Sequence, residues 1–501
     1  MTSTAKFVAA LTATTLLMTA CGNRLEETEL MQAQRGEVAG AVANAGSDQT
    51  GGVVAGAVPG AVDTPTGTSN AAAGAAPAAT TAPGAGSAGM PASGAGTTNP
   101  GTTNPGGGKP GQNKGGGTSG ATSPAACTGS SSTIHIASIG QQSGVIGAVV
   151  QDGPRTVAAW AAMINANGGL NCHPIKYTIA DDGGDPAKHQ ALVQQLVEQQ
   201  GVSAFVYTVA PITGGASKDY LTKKRIPTIG STTTESWFYE SPMYFPQATS
   251  GPDIFEATFA SVAGVAAPKK KIATISCIEA ALCSGVYALA EQFTERHGLE
   301  LTYRGQVSIT QPDYTASCQN AKTSGAEVFY VGTDTASLQR VGRSCQSIGY
   351  KPVFATTHVV GAPYLVKDAT MEGLIVSQSV IPWFATQNPE VKRYQDTLAR
   401  YAPGIAPSAA SIMGWVAAQV FAKGLSGAPT TNLTQQQASQ ALLEGLWKIK
   451  DDDFNGTTAP LTFKKDQIAA KRLCYWSVQI KGGKFISPDN FKRNCAAPRA
   501  S

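Results

Sequence analysis

The stretch that decides the fold runs from Tyr177 to Val206 and reads YTIADDGGDPAKHQALVQQLVEQQGVSAFV. With the two residues before it, it opens on a short strand, Ile175 to Ala180, and it leads into another, Ala204 to Thr208. Between them, Asp185-Pro186 marks the start of a helix. An Asp side chain can accept from the first unpaired N–H groups, and Pro suits the first helical position, where no N–H is needed. Leu192, Val193, Leu196 and Val197 then recur at helical spacing. Strands that alternate with helices in this way build parallel sheets with helices on both faces.

The same grammar extends in both directions. Upstream, Ile134 to Ile139 reads as a strand, Gly140 to Gly153 as a Gly-rich loop, and Val157, Trp160, Ala161 and Ile164 as the buried side of a helix that ends at Asn167-Gly168-Gly169. Downstream come a helix from Ala216 to Lys224, a strand from Pro227 to Ile229 and a polar loop from Gly230 to Glu235. The pattern then restarts. Strands are expected at Ile272 to Ser276, Leu301 to Val307, Glu327 to Val331 and Val353 to Ala355, with helices at Val286 to His297, Tyr314 to Ser324 and Ser337 to Ile348 between them. Two such runs predict an α/β protein of two doubly wound, Rossmann-like lobes.

The rest of the 501 residues are of another kind. Of the 56 glycines, 22 lie between Val38 and Ala126, a stretch without an aromatic residue and with only four charges, Asp48, Asp63, Lys109 and Lys114. Such a segment has too little apolar surface to offset the entropy of ordering it. It includes a near-repeat, Gly96 to Pro100 and Gly101 to Pro105, and residues 22–126 read as a disordered tether. A Gly-rich coil of that length has a root-mean-square span of about 55 to 60 Å. Before it, residues 1–20 hold Lys6 and a short, mostly apolar run, as in a secretory signal. Met18-Thr19-Ala20-Cys21 resembles the box in which bacterial lipoproteins carry an acylated cysteine, so Cys21 is the expected lipid anchor.

Eight cysteines remain once Cys21 is set aside: Cys127, Cys172, Cys277, Cys283, Cys318, Cys345, Cys474 and Cys495. An even number in an exported chain reads as disulfides. Many connectivities are open to eight, and pairing of sequence neighbours joins segments that the alternating fold brings together. A metal site is not indicated, because no CxxC occurs and His135, His173, His189, His297 and His358 stand at no ligand spacing. The net charge of +4, with 14% charged residues and no basic cluster larger than Lys269 to Lys271, lacks the footprint of a nucleic-acid binder. No G-x-S-x-G elbow, H-E-x-x-H or P-loop is found, so neither catalysis nor a cofactor is expected.

From Thr133 to Phe485 the chain resembles the type I solute-binding proteins of ABC transporters, of the branched-chain amino acid (Leu/Ile/Val-binding) family. The matching pieces are IASIGQQSG, INANGGLNCHPI, the stretch quoted first, KKRIPTIGSTTT, and PDYTASCQNAKTSGAEVFYVGTDTASLQRVGRSCQSIGY. The resemblance implies lobes joined by three hinge segments. Residues 133–250 and 382–460 would form the first lobe, and residues 251–381 and 461–501 the second. It also implies a solute captured between the lobes, with permease and ATPase subunits as partners. A sensor of the same fold, acting on a signalling partner, is the rival reading.

Ligands of open parallel sheets sit beyond the carboxyl ends of the strands, so the lining is expected in the loops that follow the strands. These supply Ser143, Thr213, Thr232, Thr233, Thr234, Glu279, Asp334 and His358 as candidates. By resemblance, Thr232 to Thr234 stand in the loop that grips an amino acid carboxylate, and Asp334 stands near the acidic partner of its ammonium group, with Glu279 as the other candidate. Trp237, beside Phe238, is a candidate apolar wall. Where the family often carries a ligand-covering Tyr, this chain reads Leu282-Cys283-Ser284-Gly285-Val286, so leucine-like specificity does not carry over.

Overall fold

The computed structural model describes residues 131–496, apart from 144–146, 148–149, 249–251 and 280. The signal segment, Cys21, the tether and Cys127 therefore lie outside the described residues. The first sheet has five parallel strands: β1 (Ile134–Gly140), β2 (Ile175–Asp181), β3 (Ala204–Thr208), β4 (Thr228–Ser231) and β5 (Tyr244–Phe245), in the order β2-β1-β3-β4-β5. Their helices are α1 (Asp152–Ala166), α2 (Pro186–Glu198) and the short α3 (Lys218–Lys224). Asp185 caps α2 as its sequence indicates, accepting from Ala187 N at 2.8 Å and Lys188 N at 3.0 Å. The helix expected from Ala216 is instead a 3-10 turn, Gly214–Ser217, followed by α3. Glycine at 214 lets the turn lie against the Trp237 ring, where a Cβ would come within 2.1 Å of it.

The second sheet is preceded by α4 (Pro252–Val265) and repeats the order of the first. Strands β6 (Lys271–Cys277), β7 (Glu300–Val307), β8 (Val328–Gly332), β9 (Val353–Thr357) and β10 (Ile375–Gln378) run parallel as β7-β6-β8-β9-β10. Helices α5 (Ala281–Arg296), α6 (Thr315–Thr323) and α7 (Thr335–Ser347) connect them. The sheet then departs from the purely parallel arrangement expected. Strand β11 (Cys474–Lys481) pairs antiparallel with β10, β12 (Lys484–Ile486) pairs antiparallel with β11, and β13 (Asn494–Cys495) closes against the start of β11. The β11–β12 hairpin turns at Gly482-Gly483, both at positive φ, a conformation open to glycine without a Cβ penalty.

One hydrophobic core belongs to the first sheet, and two more lie on the opposite faces of the second. The first also takes in α8 (Pro389–Tyr401), α9 (Ala409–Leu425) and α10 (Gln435–Leu446), which lie far along the chain. Helix α9, AASIMGWVAAQVFAKGL, is apolar nearly all round and nearly all buried. It packs closely on α1 because two glycines meet. A Cβ on Gly414 would lie 2.2 Å from the Gly153 carbonyl oxygen.

The chain crosses between the sheets after β5, after β10 and before β11, and the crossings are bonded to one another. Ile381 N donates to Thr457 O at 2.9 Å, and Thr458 Oγ1 donates to Gln247 O. The Gln247 side chain also pairs with the end of β4, accepting from Ser231 N at 3.0 Å and donating to Ser231 O at 2.7 Å. Disulfides join Cys277 to Cys283, Cys318 to Cys345 and Cys474 to Cys495, as neighbour pairing anticipated. Cys172 is disulfide-bonded as well. Among the described residues, no helix is long and apolar enough to cross a membrane.

Candidate functional site

A cavity of about 420 Å³ lies between the lobes, within the usual range for small-molecule sites. One wall comes from the first lobe: Val150 and Asp152 where α1 begins, Tyr207 of β3, Thr232 after β4, and Ser408, Ala409, Ala410 and Met413 of the α9 start. The facing wall is the segment after β9, including His358, Val359 and Tyr364. These positions follow strand carboxyl ends or begin helices, as doubly wound sheets dictate. Ser408 caps α9 by accepting from Ser411 N at 3.2 Å.

Thr232 and His358 are the sequence candidates that the cavity brings together. Thr232 Oγ1 donates to Glu235 Oε1 at 2.6 Å and lies 3.0 Å from Thr234 Oγ1, while Thr234 N donates to Glu235 Oε2 at 2.9 Å. Glu235 is fully buried, and that burial pushes its carboxyl up against the opposing hydrogen bonds of Thr232 and Ser231. Thr233 holds the loop's bend at φ +66°. For a β-branched residue this is a rare conformation, costing on the order of 1–3 kcal/mol. Its N–H donates to Ser231 Oγ at 3.0 Å, and its hydroxyl reaches Ser379 Oγ, in the second crossing, at 3.5 Å.

His358 is 4% exposed, and neither ring nitrogen has a partner in hydrogen-bonding geometry. Burial lowers its pKa to about 4, against a weaker upward pull from the backbone of Thr232 and Ser377, so the ring is neutral at neutral pH and carries one donor and one acceptor. A buried polar group left in this state costs free energy that a partner would recover.

The other candidates are placed elsewhere and are engaged in local structure. Ser143 hydrogen-bonds Asp181 at the start of the Gly-rich loop. Trp237 packs edge-on against Tyr244. Glu279 accepts from Ser308 Oγ at 2.6 Å and Ile309 N at 2.9 Å. Asp334 caps α7, accepting from Ala336 N at 2.9 Å, Ser337 N at 3.0 Å and the Ser337 hydroxyl.

Thr213 belongs to a buried network under the first lobe's loops. Asp182 Oδ2 accepts from Thr213 Oγ1 at 2.6 Å and lies 2.7 Å from His189 Nδ1, whose Nε2 lies 3.0 Å from Ser217 Oγ. Burial works to raise the Asp182 carboxyl, but the hydrogen bonds of His189, Thr213 and Gly184 hold it below the usual range. Ser, His and Asp stand here in the order of a hydrolase triad. All three are buried, Ser217 also lies 3.3 Å from Gly214 O, and none lines the cavity. The network fastens the loop after β2 to the 3-10 turn after β3.

Tyr207 and Asp152 were missed in the sequence. Tyr207 takes a left-handed backbone, φ +57°, at a strand end. Its ring lies against Gly153, where a Cβ would come within 1.9 Å of Tyr207 Cε1. Burial, and then the Glu235 charge, keep the phenol protonated. Burial also raises the Asp152 carboxyl, with Arg155 acting in the opposite sense. Among the described residues, no group of three or more His, Cys, Asp and Glu side chains could hold a metal ion.

Two lobes of one strand order, a three-stranded hinge and a cavity at the facing strand ends define a two-lobed binding protein of the type I fold. The family model described as periplasmic binding protein matches residues 133–484, and the chain belongs to that family. No curated protein is similar enough in sequence to count as a relative. Solved structures are similar in fold. A possible leucine/isoleucine/valine-binding protein from Rhodopirellula baltica SH 1 has a TM-score of 0.59 at 17% identity, covering 72% of this chain and 96% of that one. The fatty acid ABC transporter substrate-binding protein from Thermomonospora curvata has a TM-score of 0.57 at 17% identity, covering 73% and 95%. The branched-chain amino acid transporter substrate-binding protein from Streptococcus pneumoniae, in complex with isoleucine, has a TM-score of 0.57 at 18% identity, covering 73% and 99%.

Proposed function

We propose that the chain is an extracytoplasmic solute-binding lipoprotein of an ABC importer. A lipid on Cys21 holds it to the membrane, residues 22–126 tether the domain, and the lobes capture a small polar solute: an amino acid, an amide or a carboxylate. Permease and ATPase subunits take the solute on, and no chemistry is done on it. The observation that carries the reading is the interlobe cavity, which has an unpartnered, buried imidazole, His358, on one side and the Thr232 loop on the other. Solutes named for structures of the same fold are a fatty acid and isoleucine, both small molecules. Thr232 and His358 are the residues assigned to the solute.

The experiment takes the exported protein through fractionation and then a melting screen. Wild type partitions with membranes, and Cys21→Ala is released. The purified domain is then heated with amino acids, amides, carboxylates and polyols. A solute bound to the folded state alone adds about 2.7 kcal/mol at a hundred times its Kd, which shows as a raised melting temperature. Replacing Thr232 by Val or His358 by Leu weakens that response. An empty screen, a hit indifferent to both substitutions, or turnover of the hit would refute the reading.

A further inference from the structure

We propose that Asp152 is the cation subsite of the cleft, and that the captured solute carries an ammonium group held by the first lobe. This rests on the solute-binding reading above. The acidic residues of the second lobe that sequence resemblance offered for such a group are engaged in local hydrogen bonds. Asp334 serves the first turn of α7, and Glu279 serves the Ser308–Ile309 turn. Asp152 is the only carboxylate among the described residues that line the cavity, and no Lys or Arg lines it with Asp152.

The surroundings of Asp152 suit an ammonium group. Its side chain is 35% exposed, and its one ion-pair neighbour among the described residues, Arg155, stands 3.8 Å away with a side chain 54% exposed. That contact lies at the limit of an ion pair, and such exposed pairs add little. The Tyr207 ring lies against Gly153, the residue next to Asp152, and Tyr364 lines the same cavity. A carboxylate in a cavity lined also by two tyrosines, and among the described residues by no Lys or Arg, is a combination that attracts an ammonium group and repels a lone carboxylate. Buried, neutral His358 leaves the charge balance unchanged and supplies hydrogen bonding on the opposite wall. Asp152 also begins α1, where an acidic side chain favours the helix. Substitution by Asn removes the charge and keeps a side chain of nearly the same size and shape.

The test uses matched series in titration calorimetry with the folded domain. One series is L-leucine, 3-methylbutylamine and 4-methylpentanoate; the other is L-phenylalanine, phenethylamine and 3-phenylpropanoate. In at least one series the ammonium-bearing members bind, and the deaminated acid binds roughly 10- to 100-fold more weakly, the scale of one lost hydrogen bond to a charged group. Asp152→Asn and Asp152→Ser erase that preference and lower the unliganded melting temperature by no more than the loss of one helix-terminal charge, and Asp152→Glu retains the preference. The assignment is overturned if the deaminated acids bind as tightly as the amines, or if the preference survives in Asp152→Asn. It falls alone, with solute capture intact, if both series are silent while the wider screen finds a ligand without an ammonium group. If that screen is empty as well, the assignment and the solute-binding reading fall together.

Discussion

Replacing Gly414 by Ala tests the packing that sets one wall of the cleft. The added Cβ would lie 2.2 Å from the Gly153 carbonyl oxygen, 2.8 Å from its carbonyl carbon and 2.9 Å from its Cα. All three neighbours are backbone, so no side chain can swing away, and α1 and α9 must separate by about 1 Å to reach ordinary contact distance. In an open helix the same change gains about 1 kcal/mol. Overpacking of a tight interior costs about 1–3 kcal/mol, and an all-backbone clash belongs at the upper end, leaving a net loss of about 2 kcal/mol. With an m-value of about 3 kcal/mol/M, the urea midpoint falls by about 0.7 M. Gly264, in α4, has nothing within 4 Å of the point that a Cβ would occupy, so Gly264→Ala is the control and leaves the midpoint unchanged or raised. Because Gly153 also supports the Tyr207 ring, which lines the cavity, the separation weakens solute binding as well. A Gly414→Ala protein as stable as wild type would refute the close helix contact.

The remaining predictions concern a bridge and a buried ring. Cys318 and Cys345, both fully buried, are 27 residues apart in sequence; replacing both by Ala lowers unfolding stability by about 3.6 kcal/mol if chain entropy dominates, and an unchanged urea midpoint would count against it. His358 has a pKa of about 4 in the folded chain against an ordinary 6.5, so below pH 6.5 the unfolded chain takes up the proton and the folded one does not. Its contribution is therefore present above pH 6.5 and is lost as pH falls toward 4, on the order of 3 kcal/mol in all. His358→Gln flattens stability over that window, and an identical pH profile in the variant would contradict the burial argument.

How much was legible depended on how local each signal was. Asp185-Pro186 and the helical period after it act within one turn, and α2 starts where they indicate. The Gly482-Gly483 turn carried an equally local hairpin signal, and the antiparallel edge of the second sheet could have been read from it. Tyr207 offered no such signal. Within AFVYT it reads as a buried strand residue, and only its left-handed backbone and the absence of a Cβ on Gly153 give its ring a place at the cavity. Ala406, Ser408, Ala409, Ala410 and Met413 line the cavity because α9 packs on α1, a contact made some 250 residues along the chain, beyond the reach of any periodicity argument. His358 was legible as a residue that follows a strand, but its lack of partners depends on the surrounding packing.

Gln247 has a consequence for how the cleft works. Its side-chain amide offers Ser231 a donor and an acceptor, as a peptide unit in a neighbouring strand would, while its own carbonyl is held by Thr458 from the third crossing. One residue thus rivets the root of the threonine loop to two of the three connectors. A rotation of the lobes about these connectors would reach the threonine loop through Ser231, one position before Thr232, the residue assigned to the solute. If the cleft closes on a solute at Thr232, Gln247 would tie that occupancy to the connectors through a single amide, and Gln247 is not among the described residues that line the cavity.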